Sequence, residues 1–98
     1  MESMIGKFVI VRTYSAGVHA GVLSQKSGDE VILTNARRLW RFFAVGGIGL
    51  SEVAVNGIVP DKSRICTPVP SIWLQAIEII PASNTAKASI MGAKNAAP

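Results

Sequence analysis

Residues 37–43 read Arg-Arg-Leu-Trp-Arg-Phe-Phe and run on into Gly46-Gly47-Ile48-Gly49. An arginine grips phosphate oxygens with a planar fork, and an indole offers a face to a base. A glycine-rich backbone entering a helix turns its N–H groups toward an anion. Arg37, Arg38 and Arg41 are therefore candidates for phosphate, Trp40 for stacking, and Gly47 for close backbone approach. The glycine spacing is not that of a P-loop, because no Gly-Lys-Ser/Thr follows. The same residues also have a plainer reading, with Trp40 in a core, the arginines solvated on a strand and the glycines in a tight turn. Neighbouring strand residues point to opposite faces, so Arg37 and Arg38 can share one ligand only if the site lies between subunits.

The second constellation is Tyr14-Ser15-Ala16-Gly17-Val18-His19, which ends in the chain's one histidine. Tyr14 can stack, and Ser15 and His19 can add polar contacts. A serine nucleophile with a histidine base would also need a group to orient the imidazole and an oxyanion site, and no such group is identifiable nearby. The expectation is a binding protein rather than an enzyme. Asp29 and Glu30 fall in a hairpin turn, Glu52 at a helix start, Asp61 in a turn and Glu78 on a final strand, so no carboxylate pair forms from adjacent positions. If buried, Glu78 would need Arg12 or Arg64 as a partner; otherwise it is solvated. The single Cys66 has no intramolecular disulfide partner, and one histidine cannot complete a zinc set, so neither a metal nor a cofactor is expected.

Several short elements must position these residues. Ile5–Tyr14 is β-branched and aromatic and reads as a strand, Val18–Ser24 alternates as a second, and Lys26-Ser27-Gly28-Asp29 turns the chain into a third at Glu30–Thr34. Asn35-Ala36 marks a bend before residues 37–43, whose aromatic content favours a strand over a short helix. Ser51 is the expected N-cap of one short helix, with Leu50 stapling onto Val55 and Gly57 stopping it. Arg64–Thr67 and Trp73–Ile80 are the remaining strands, with Pro68-Val69-Pro70 an irregular link between them. Beyond Pro81 the chain is Ala-rich and lacks aromatics, which predicts a mobile tail. The expected architecture is mainly β: residues 4–81 form one domain, a small antiparallel barrel or roll of about five or six strands with one short helix, and residues 82–98 form a flexible, disordered tail.

Composition narrows the class. The chain has 98 residues, 49% hydrophobic and 16% charged, with a formal net charge of +4. That is too apolar for disorder throughout and long enough for one core. A mean hydropathy of +0.38 without an apolar run of membrane-spanning length suggests a soluble homo-oligomer that hides apolar surface between subunits. With no basic run longer than Arg37-Arg38, a nucleic-acid polymer is a poor fit, whereas a small anionic ligand needs fewer charges.

The S-A-G-V-H-x-G stretch at 15–21 and the A-R-R-x-W stretch at 36–40 resemble a family of small tailed-phage or prophage proteins of unknown function. That resemblance covers roughly residues 4–81 and implies a phage origin and the host cytoplasm, without implying an activity. Small phage proteins include counter-defence factors that sequester cyclic nucleotide immune messengers without cleaving them. The expected function is thus a non-enzymatic sponge for such a signal, the alternatives being a virion or assembly component or an inhibitor of a host protein.

Overall fold

The computed structural model describes residues 3–98. Five strands and two helices follow in the order β1 (Phe8–Thr13), β2 (Val18–Ser27), β3 (Glu30–Arg41), α1 (Leu50–Asn56), β4 (Arg64–Ile65), β5 (Val69–Pro81) and α2 (Asn84–Met91). All strand pairings are antiparallel. β1 pairs with β2 and β5, and β3 pairs with the same two, so four strands close into a ring and β4 extends the C-terminal half of β3. Closure leaves these four strands without a long free edge to protect.

Phe8-Val9-Ile10-Val11 is apolar at every position because both faces of β1 are covered. Val9 and Val11 face the inside of the ring with Leu23, Leu33 and Leu74, while Phe8 and Ile10 face a second core shared with α1, β4 and α2. Burying each such side chain contributes roughly 1.5–3 kcal/mol. Gly21 lets β2 and β3 approach closely, since a Cβ there would lie 2.9 Å from the Thr34 carbonyl oxygen and 3.1 Å from Ala36 Cα.

Three expectations change. Glu30–Thr34 and residues 37–43 are not two strands but one, β3 running through to Arg41, with the bend at Asn35-Ala36 absorbed as a bulge opposite β2 in which Asn35 takes φ 49°. The Pro68–Pro70 link is largely strand, because β5 starts at Val69. The segment 82–98 is a docked element rather than a mobile tail, and it carries the second helix. Ser83 caps α2, accepting from the Ala86 N–H at 3.0 Å and donating to the Val55 carbonyl at 2.7 Å, and Ala86 and Ile90 are buried four residues apart on one face. An isolated eight-residue helix is unstable in water, so this one owes its order to tertiary contacts.

A candidate cationic and aromatic binding site

The decisive residue is Arg37. Expected to grip phosphate, it instead points inward with 1% of its surface exposed. Its Nε donates to the Cys66 carbonyl at 2.9 Å, and its terminal nitrogens donate to the carbonyls of Ile90 at 2.8 Å and Ala93 at 2.7 Å and to Asn95 Oδ1 at 3.0 Å. The Ile90 and Ala93 carbonyls belong to the last turn of α2 and the residues after it, groups that a helix leaves without internal partners, at the end where the helix dipole favours a cation. Burial lowers the guanidinium's pKa, with the Cys66 side chain opposing the shift, but an arginine remains charged regardless. Its partners are all neutral oxygens.

Arg38 and Trp40 alternate with Arg37 and Leu39, and so lie together on the outer face of β3. Trp40 is 67% exposed. The Arg64 guanidinium on β4 sits 5.8 Å from its ring centroid, and Arg41 lies 5.4 Å from the ring centroid of Phe43. Arg64 was not among the sequence candidates for the site; β4 brings it beside Trp40 through pairing with β3, a contact that no local spacing announces. Among the described residues the one ion pair is Arg12 Nε to Glu78 Oε1 at 3.2 Å, with both side chains about half exposed. Glu78 is therefore solvated and partnered by Arg12; among the described residues Arg38, Arg41 and Arg64 make no ion pair, and Arg64 Nη2 donates to the Ala97 carbonyl.

Tyr14 and Ser15 are exposed in the β1–β2 loop. The register pairs Val18 with Leu39 and His19 with Arg38, so this loop emerges at the end of the ring that carries Arg38–Arg41. His19 itself is 1% exposed, and its Nε2 donates to the Ala16 carbonyl at 2.8 Å. Burial lowers its pKa, the bond to Ala16 opposes that, and the Arg38 charge adds to the lowering. It is a neutral ring bracing the loop, with Thr13 Oγ1 donating to the Gly17 carbonyl at 2.7 Å and accepting from the Ala16 N–H at 2.9 Å. A cavity of about 230 Å³ lies between His19, Arg38, Cys66 and Val69.

Gly47 does not cradle an anion. A Cβ there would run into the Glu52 side chain, which folds back to accept from the Gly49 N–H at 3.1 Å. The N-cap of α1 is thus Gly49 rather than Ser51, with Glu52 at the third helical position, and a carboxylate already occupies the N-terminus where a phosphate was expected. Val55 is exposed, so the expected staple from Leu50 does not form. Gly57 ends the helix as expected.

Residues 6–90 match the model of a domain of unknown function, DUF6948. The chain belongs to this family. The match takes in the ring and nearly all of α2, so the docked helix is part of the DUF6948 unit. No curated protein and no solved structure matches the chain. Among the described residues no cluster of histidine, cysteine and carboxylates is placed to hold a metal ion, and no helix is long and apolar enough to cross a membrane.

Proposed function

We propose that this DUF6948 protein is a non-enzymatic binder that sequesters a small phosphate-bearing ligand of the cyclic nucleotide class on the Arg38–Trp40–Arg64 face. The observation that carries the reading is Trp40, an indole 67% exposed on a strand, with Arg64 against its ring and Arg38 on the same side. Base stacking on an aromatic residue contributes about 1–3 kcal/mol, and guanidinium–phosphate bonds are among the stronger hydrogen bonds. Sequestration rather than turnover fits the commitment of the single imidazole to the Ala16 carbonyl. The tailed-phage resemblance of the 15–21 and 36–40 motifs supports a host immune messenger in the infected cell's cytoplasm as the natural ligand. Exposed Trp40, Phe43 and Tyr14 at one end of the ring support a homo-oligomer whose second subunit closes the site.

Titration calorimetry against a panel of cyclic di- and trinucleotides tests this. One member should bind, and Trp40→Ala should weaken it by about 5- to 150-fold, the equivalent of one stacked base. Absence of heat with every member at high protein concentration refutes it. A second reading, a virion or assembly component or an inhibitor of a host protein, draws on Trp73, which stands 69% exposed on β5. It predicts co-purification with particles or a captured host protein, with indifference to nucleotides.

A further inference from the structure

We propose that the cleft between residues 58–65 and the end of α2 is an anion seat that takes the phosphate of a phosphate ester. The proposal rests on the binder reading and deepens it by separating the phosphate position from the stacking surface. The cleft has a volume of about 590 Å³, within the range of small-molecule sites and large enough for a phosphate with its attached sugar. Arg64 lines both this cleft and the neighbouring hollow beside Trp40; its Nη2 donates to the Ala97 carbonyl in the hollow, and its remaining N–H groups are the donors it offers.

Donors dominate the cleft's chemistry. Asn95 Oδ1 accepts from Arg37, and its NH2 group keeps two donors to offer. Lys94 adds an ammonium, and Ser63, whose Oγ accepts from the Phe43 N–H, keeps its hydroxyl proton. Asp61 is the one carboxylate in the lining, suited to accept from a sugar hydroxyl. The carbonyls at the end of α2 would ordinarily repel an anion. Here those of Ile90 and Ala93 are bound by a buried guanidinium whose partners are all neutral, so the wall of the cleft carries an uncompensated positive charge. Arg37 is thereby a positioning residue. It fixes Asn95 and reverses the sign of the helix end without reaching the ligand.

The test is an amide chemical-shift titration of the isotopically labelled full chain with inorganic phosphate and, separately, with cyclic di-AMP. Phosphate should move the amides of Ser63, Arg64, Lys94 and Asn95 in a saturable way, and an equal concentration of chloride should not. Lys94→Glu, a change at an exposed position, should weaken phosphate at least tenfold, and Asn95→Ala should weaken it while leaving the spectrum of the ring intact. Phosphate that moves no cleft amide, or an affinity unchanged in Lys94→Glu, overturns the proposal. Cyclic di-AMP that binds at Trp40 with full affinity in Lys94→Glu also overturns the cleft while sustaining the binder reading. Saturable phosphate in the cleft alongside a nucleotide panel that never binds does the reverse.

Discussion

Replacing Arg37 by methionine keeps a long side chain in place and removes the charge and every donor. Three carbonyls bound at 2.7–2.9 Å, those of Cys66, Ile90 and Ala93, then lose their partner, as does Asn95. A buried group left unsatisfied costs about 1–3 kcal/mol, while the variant no longer has to desolvate a guanidinium, a saving of several kcal/mol against a gross loss of similar or larger size. The net expectation is roughly 2–4 kcal/mol, and its location matters more than its size. Three of the four partners lie in residues 90–95, so the loss should appear as local opening of α2 and the chain after it. Hydrogen exchange resolves this. Amides of the α2 region, such as Lys87 bonded to the Ser83 carbonyl and Gly92 bonded to the Ala88 carbonyl, should lose about 30- to 1,000-fold in protection, while Ile10 and Leu33 in the ring change far less. Unchanged protection in α2 would refute the tether. Equal loss in helix and ring would refute its local character.

His19 makes stability depend on pH. Its pKa is lowered in the fold, so below the ordinary value of about 6.5 the unfolded chain binds more protons, and stability present above that value is lost as pH falls. The unfolding free energy from urea titrations should drop between about pH 7 and 5.5, by at most roughly 1.4 kcal/mol per pH unit for one group, and His19→Gln should flatten that slope; an equal slope in the variant removes His19 as its source. Gly21→Ala should destabilise by about 1–3 kcal/mol, because the new methyl meets backbone of β3 at both Thr34 and Ala36, and a neutral effect on thermal unfolding would show that the two strands can part.

The strands were legible where the local pattern was strong. Phe8–Val11 and the Gly28-Asp29 turn announce a hairpin-rich β protein through residue type alone, and Gly57 marks a helix end. The cap of α1 shifted by two residues because Glu52 serves Gly49, a choice that Ser51 obscures in the sequence. In the site, the alternation rule separated Arg38 from Arg37 but did not say which of the two faces solvent. Ser83 ahead of the Ala-Lys-Ala stretch was the one local sign of α2, and it is weak, since an eight-residue helix has little stability of its own.

The sequence by itself determined the class of fold, the order of most strands and the concentration of arginine and aromatic side chains in residues 37–43, because those follow from side-chain shape and from periodicity within a few residues. Tertiary structure decided which arginine is a ligand candidate and which is a tether. Arg37 turns inward because the carbonyls that need it arrive from more than fifty residues away, and Arg64 joins Trp40 only once β4 pairs with β3. Such pairings carry no local signature, since each depends on unmet hydrogen-bonding groups that exist only after the ring and α2 have come together.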